Sequence, residues 1–98
     1  MKTISKVSAE KKLQKLVSEK KLAKKSIVYG WINEMIAGEK EFRPVYSQGK
    51  SWKYSSLFDR RIEFSNILKL MGIEYVSGND APKGGRTGAY IRINTKIK

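Results

Sequence analysis

The second half of the chain constrains the fold most strongly, because it reads as one helix followed by a β-hairpin. Apolar residues recur at helical spacing over residues 57–71, and Gly72 then ends the run. Residues 73–76 alternate, the glycine-rich run 78–88 interrupts regular structure, and residues 89–98 alternate again. A hairpin with one apolar face must pack on something, and the preceding helix is the nearest cover. This half therefore predicts an α+β domain.

The helix and the last strand each predict a specific buried face. Ser56 is the expected N-cap, and Asp59 three residues later resembles the acidic partner of a capping box. The buried stripe of the helix is predicted to be Leu57, Phe64, Ile67, Leu68 and Met71. The strand is predicted to turn Ile91, Ile93 and Ile97 inward and Tyr90, Arg92, Asn94, Lys96 and Lys98 outward.

The first half predicts two further helices. Residues 27–36 have a broad apolar face, with Ser18 or Ser26 as N-cap and Gly38 just after the end. Before it, Ser8 caps a basic helix with a narrow apolar stripe that consists of Leu13, Leu16 and Val17.

A short extended segment is expected between the helices of the two halves. Residues 42–46 read as an edge segment, because Pro44 cannot donate a ladder hydrogen bond. Residues 51–54 read either as a second short strand or as a short helix. The predicted fold is thus a small α+β domain with two to three helices and a C-terminal β-hairpin.

The charge distribution divides the chain into two parts. Ninety-eight residues allow one domain, and residues 1–25 contain nine lysines against Glu10 and Glu19. The apolar residues concentrate further on. We therefore expect residues 1–17 to form a basic helical N-terminal arm and residues 18–98 to form the packed domain.

The net charge of +12 indicates an anionic partner. Nucleic acid is the first candidate, ahead of an anionic membrane surface or an acidic protein. The chain has no cysteine and no histidine, which excludes disulfides, thiolate or imidazole metal sites and histidine-based catalysis. We expect no cofactor and no metal. No apolar run approaches the roughly 20 residues of a membrane span, and a cytoplasmic location, nucleoid-associated in a bacterium, is the expectation.

The order of predicted elements over residues 19–97 resembles winged-helix DNA-binding domains. The order is helix, short extended segment, helix, strand, long glycine-rich loop, strand. The resemblance implies that helix 57–71 enters the major groove and that loop 78–88, the wing, lies along a neighbouring phosphate backbone. One departure is that only a short helix near residues 51–58 is available to complete a helix-turn-helix.

Helix 57–71 carries polar residues suited to such contacts beside its buried stripe. Arg61, Ser65 and Lys69 recur every four residues, with Asn66 next to them. Arginine pairs with guanine and asparagine with adenine, whereas lysine and serine suit phosphate. The alternative is that these are ordinary exposed positions.

The wing and the last strand add cations. Glycines let backbone N–H groups approach an anion, Lys83 and Arg86 add charge, and Arg92 and Lys96 extend the same patch. Alternatively the wing is a loop with incidental charges, and Arg92 pairs with Glu74 across the hairpin.

Two further sets of basic residues are candidates for binding. The arm and the residues after it are one set, and they either contact phosphates or form an ordinary solvated helical face. The residues are Lys11, Lys12, Lys20, Lys21, Lys24 and Lys25. In the middle of the chain, Arg43, Lys50 and Lys53 interleave with Phe42, Tyr46, Trp52 and Tyr54. This mixture suits stacking on single-stranded nucleic acid. Most of these rings are more simply explained as core, with Tyr46 and Trp52 as the exceptions.

The leading functional hypothesis is a non-enzymatic DNA-binding protein of the regulatory or accessory kind, which prefers double-stranded DNA to RNA. A second hypothesis is an RNA-binding protein or a metal-independent ribonuclease toxin that uses Tyr90, Arg92 and Lys96 with Glu74 nearby. A third is an interaction protein that docks on an acidic partner of the nucleic-acid machinery. A homodimer is compatible with each of them.

Overall fold

A computed structural model describes residues 2–44, 54, 56–83 and 88–98 of the chain. The α+β prediction is confirmed, with three helices and a C-terminal hairpin in an antiparallel sheet. The elements run in the order β1 (Thr3–Ile4), α1 (Lys6–Ser18), α2 (Ile27–Ile36), β2 (Glu41–Phe42), α3 (Leu57–Leu70), β3 (Tyr75–Asn79), β4 (Ala89–Ile93) and β5 (Lys96–Ile97).

The strands form two small sheets. One is antiparallel with the order β2-β4-β3, in which Arg92 lies opposite both Glu41 and Val76. The other is a parallel pair in which Thr3 of β1 lies opposite Lys96 of β5. The predicted continuous strand 89–98 is therefore divided between the two sheets. The break falls at Thr95, a buried residue whose Oγ1 accepts the Glu74 backbone N–H at 2.7 Å.

The core lies between the helices and the inner face of the antiparallel sheet. The predicted stripe of α3 is buried throughout, as are Ile91 and Ile93 of β4. Phe64 is fully buried, and its ring centroid lies 5.0 Å from that of Phe42 and 5.4 Å from that of Trp31. Because these rings come from α2, β2 and α3, their contact holds three elements together.

The helix ends agree in part with the predicted caps. Ser26 caps α2 by accepting the Val28 N–H at 3.2 Å. Ser56 precedes α3, but its side chain makes no capping hydrogen bond, so the predicted capping box is absent. The start of α1 is also corrected: Ser5 is the N-cap, and it accepts the backbone N–H of Ser8 at 3.0 Å.

The described part of the predicted arm is packed. Ala9, Leu13 and Leu16 of α1 are buried in the same cluster as the core of α2 and α3. The helix α1, which lies in the predicted arm of residues 1–17, therefore packs on elements of the predicted domain of residues 18–98. The physical reason is that the narrow stripe of α1, although surrounded by lysines, is wide enough to cover one side of a small core.

Candidate nucleic-acid interface

The outer face of the antiparallel sheet carries a network of charged side chains, which we call the sheet-face network. Arg43 donates from Nη1 to Asp80 Oδ2 at 2.9 Å and from Nη2 to Glu41 Oε1 at 3.3 Å. Arg92 donates from Nη2 to the same Glu41 oxygen at 3.2 Å. The network also includes Tyr90 of β4, and it joins β2, β4 and the residue that follows β3.

Tyr90 lies under both guanidinium groups. Its ring centroid is 5.0 Å from Arg43 Cζ and 5.4 Å from Arg92 Cζ, within the range of a cation–π contact. Across the hairpin, Tyr90 is opposite Gly78, where an added Cβ would lie 2.7 Å from the tyrosine hydroxyl oxygen. The missing side chain at residue 78 is therefore what allows the ring to lie flat across β3.

The charged side chains of the sheet-face network neutralise one another. Hydrogen bonds from Arg92 and then Arg43 lower the pKa of the Glu41 carboxyl. The hydrogen bond to Asp80 is the main reason why the pKa of Arg43 is raised. Two guanidinium groups face two carboxylates, so the network has a formal charge of zero. Arg43 and Arg92 were predicted as nucleic-acid contacts, and both are already ion-paired in the free chain.

The partner predicted for Arg92 is corrected. Sequence analysis considered Glu74, but Arg92 lies opposite Val76 on β3 and pairs with Glu41 on β2. Glu41 and Asp80 were not among the predicted site residues. The two-residue spacing of Glu41 and Arg43 in an extended segment places both side chains on one face, and this signal was available in the sequence.

The outer face of α3 is mixed rather than basic. Two apolar side chains of this helix are exposed, Ile62 at 69% and Leu70, its last residue, at 54%. Arg60 pairs with Glu63 at 3.2 Å. Of the four predicted base or phosphate contacts on this helix, Asn66 and Lys69 are exposed.

The other two predicted residues on α3 make contacts within the helix. Arg61 is half-buried, with its guanidinium carbon 5.0 Å from the centroid of the Phe58 ring. Ser65 donates its hydroxyl to the Ile62 carbonyl at 3.0 Å. The four predicted contacts therefore do not form one free polar face.

The lysines predicted from α1 and the loop after it are accessible. Lys12 Nζ also donates to the Met71 carbonyl at 3.2 Å, and Lys21 pairs with Glu19 at 3.6 Å. An open cleft of about 250 Å³ between α1, the loop after it and α2 is lined by Gln14, Val17, Ser18, Lys24 and Tyr29. All six predicted residues are exposed, namely Lys11, Lys12, Lys20, Lys21, Lys24 and Lys25.

The aromatic residues that the structure describes in the middle segment belong to the core. Phe42 is fully buried, and Tyr54 is 8% exposed with its hydroxyl donating to Glu34 at 3.3 Å. Burial is the main reason why the pKa of the Tyr54 phenol is raised. Lys83 is exposed, as is Lys96 on β5. The predicted contacts Lys50, Lys53 and Arg86, with Tyr46 and Trp52, lie outside the described residues.

The described ranges support neither a metal-binding site nor a membrane-spanning helix. They contain no group of three or more acidic residues placed to hold a metal ion. None of the helices in these ranges combines the length and apolarity needed to cross a bilayer.

Comparison of the chain with models of known protein families, with curated proteins and with solved structures finds no significant match.

Proposed function

We propose that this protein binds double-stranded DNA and has no enzymatic activity of its own. The order of elements supports this proposal. The helix α3 precedes the β3–β4 hairpin, and β2 pairs with the other edge of β4, giving the order β2-β4-β3. A helix followed by a hairpin is what the resemblance to winged-helix domains implies for residues 19–97.

The observation that carries the proposal is the surplus of unneutralised basic side chains. Among the described residues, only Lys21, Arg43, Arg60 and Arg92 lie within 4.0 Å of a carboxylate. The other described lysines are left facing solvent, so the net charge of +12 is not cancelled locally. A surface of this kind attracts a polyanion and gains free energy from the counterions that the polyanion releases.

Phosphate contacts, rather than base contacts, then supply most of the affinity. Lysine is a compact point charge without the planar fork that arginine uses to read guanine. Of the predicted contacts on α3, Arg61 and Asn66 have the chemistry for bidentate base contacts, and Arg61 is already half-buried over Phe58. We therefore expect strong binding at low salt and modest discrimination between sequences.

A fluorescence anisotropy titration at 50 and 200 mM salt tests the proposal. The probes are a labelled duplex, the single strand of the same sequence and the matching RNA. If six to ten phosphates are contacted, the affinity for the duplex should fall about 10³–10⁵-fold between the two salt concentrations. Affinity that is independent of salt, or tighter binding of RNA than of the duplex, would contradict the proposal.

Incubation with labelled RNA and DNA tests the second half of the proposal. We expect both substrates to remain intact. Cleavage that is lost in Arg92→Ala would instead identify a nuclease on the outer face of the sheet.

A further inference from the structure

The positive charge of the described chain is concentrated in α1 and the loop that follows it. Residues 6–25 contain eight lysines and two glutamates, a balance of +6. All other described residues together contain ten basic and seven acidic side chains, a balance of +3. One short segment therefore carries most of the surplus charge that attracts a polyanion.

The other surfaces of the described chain hold less charge or divide it. The sheet-face network is formally neutral, because two guanidinium groups face two carboxylates. Helix α3 carries three cations against two anions, and one of the cations is ion-paired. At strands β1 and β5 the lysines are Lys2, Lys96 and Lys98. The register pairs Lys96 with Thr3, so Lys2 and Lys96 lie on opposite faces of this small sheet.

Two lysines of α1 lie on the side of the helix that faces away from the core. Lys11 and Lys15 are each two residues from the buried Leu13, which places them about 200° around the helix from it. Both side chains are exposed. Lys12 leaves α1 in another direction, because its Nζ donates to the Met71 carbonyl beside α3. It is therefore not part of this face.

A third lysine joins these two from the loop. Lys24 lines the open cleft together with Gln14 and Ser18 of α1. Gln14 follows Lys11 by three residues and Ser18 follows Lys15 by three, a spacing that makes side chains neighbours on a helix. We call Lys11, Lys15 and Lys24 the cleft lysines. Within the described ranges, none of the three lies within 4.0 Å of a carboxylate.

The turn that ends α1 holds Lys20 in an unfavourable backbone conformation. Its φ is +60°, in the left-handed region that residues with a Cβ rarely adopt. The Lys20 N–H donates to the Val17 carbonyl at 3.0 Å, and the Lys21 N–H donates to the Leu16 carbonyl at 2.9 Å. These two bonds form a Schellman motif, in which glycine is the usual residue at the position of Lys20.

The other two helices end in the same motif, and both have glycine there. Gly38 follows α2 with a φ of +122°, and Gly72 follows α3 with a φ of +72°. Only after α1 does the chain accept the cost of a side chain, and that residue is an exposed lysine two positions after Ser18 of the cleft. A residue kept against its backbone preference indicates a role for its side chain.

We propose that the DNA phosphate backbone docks along the exposed face of α1 and its last turn, and not on the outer face of α3. The cleft lysines and Lys20 supply the charge, and Gln14 and Ser18 supply uncharged groups that can bond to phosphate oxygens. This inference rests on the proposed function, and it changes the face that the winged-helix resemblance implies.

Matched charge variants test this assignment. The cleft variant is Lys11→Gln, Lys15→Gln and Lys24→Gln. The control removes three exposed lysines outside residues 6–25, including one on α3, as Lys69→Gln, Lys96→Gln and Lys98→Gln. Each variant loses the same charge, and the affinity for a duplex is measured by anisotropy from 50 to 200 mM salt.

We expect the slope of log affinity against log salt to become shallower by about 0.9 per lysine in the cleft variant and to stay close to wild type in the control. A cleft variant with arginine at the same three positions should keep the wild-type slope. This rescue separates the loss of charge from misfolding.

The Lys20→Gly variant tests the end of the same surface with two readouts that should move in opposite directions. Glycine adopts this backbone conformation without steric cost, so the unfolding temperature should rise. The loss of one phosphate contact should make the salt slope shallower by about 0.9. Lys20→Arg keeps both the charge and the Cβ, so it should leave both measurements close to wild type.

Equal slopes in the cleft variant and the control would overturn the docking face while leaving DNA binding in place. A Lys20→Gly protein that is more stable than wild type but keeps the wild-type slope would overturn the role of Lys20. If wild-type protein binds no duplex at all, the proposed function fails and the inference fails with it.

Discussion

At the scale of single residues, the most consequential position is Phe64. Its side chain is fully buried and contacts rings from α2 and β2. We expect Phe64→Ala to lower the free energy of unfolding by about 3–5 kcal/mol, because it removes a large apolar group and leaves a cavity. Urea unfolding followed by circular dichroism measures the change.

The matched control for this prediction lies two positions earlier on the same helix. Ile62 is 69% exposed, and Ile62→Ala should change the free energy of unfolding by no more than about 0.5 kcal/mol. If the two substitutions cost the same, Phe64 is not at the centre of the core.

The ion pairs of Glu41 allow the sign of a pH effect on the free energy of unfolding to be predicted. Arg92 and Arg43 hold its folded pKa below the ordinary value of 4.5, so its contribution to stability is present above that pH. The contribution is lost as the pH falls through the lowered folded pKa. We therefore expect Glu41→Gln to be less stable than wild type at pH 7 and equally stable once the wild-type carboxyl is protonated.

Urea midpoints measured at several pH values between 7 and 2 test this expectation. Glu10→Gln is the control, since Glu10 forms no ion pair among the described residues. A stability difference between Glu41→Gln and wild type that is the same at every pH would mean that the two arginines do not act through the carboxylate charge.

At the scale of elements, the β3–β4 hairpin depends on the absence of a side chain at Gly78. Gly78→Ala would place a methyl group 2.7 Å from the Tyr90 hydroxyl and 2.9 Å from its ring carbon Cζ. The ring would have to leave its position between Arg43 and Arg92, and overpacking of this kind costs about 1–3 kcal/mol. In a Tyr90→Ala background the same methyl group has room, so the cost should disappear.

A double-mutant cycle on thermal or urea unfolding measures that coupling between Gly78 and Tyr90. Gly30→Ala on α2 is the reference, because a Cβ added at Gly30 would have no neighbouring atom within 4 Å. Replacing this helical glycine with alanine should stabilise the chain by about 0.5–1 kcal/mol. An equal cost of Gly78→Ala with and without the Tyr90 ring would show that backbone geometry, not the ring, requires the glycine.

Elements defined by local periodicity could be predicted, and contacts that depend on a third element could not. Helix 57–71 was located almost to the residue, because its buried stripe and Gly72 are local signals. The pairing of β1 with β5 was missed, since two residues at each end carry no pattern and the partner is far away in sequence. Hence α1 was interpreted as an arm.

In the candidate site, too, local properties could be predicted and contacts between distant elements could not. The exposure of those predicted lysines that the structure describes followed from their charge alone. The neutralisation of Arg92 did not, because only the position of β2 beside β4 brings Glu41 to it.

At the scale of the whole molecule, charge and geometry make different contributions to binding. The unfolded chain carries the same +12 as the folded one, so attraction to DNA by charge alone would not distinguish the two states. Binding that requires a particular arrangement of exposed lysines exists only in the folded state. A ligand that binds only the folded state stabilises it, by about 2.7 kcal/mol when present at 100 times its Kd.

We therefore expect a saturating duplex at low salt to raise the unfolding temperature of the protein. For a domain of this size, 1 kcal/mol corresponds to about 4–8 °C, so the shift at 100 times Kd should exceed about 10 °C. Thermal unfolding followed by tryptophan fluorescence, with and without duplex, measures it, and 200 mM salt should reduce the shift by weakening binding. Tight binding without a change in unfolding temperature would mean that the unfolded chain binds equally well, in which case the polyanion recognises the composition of the chain and not the arrangement of its lysines.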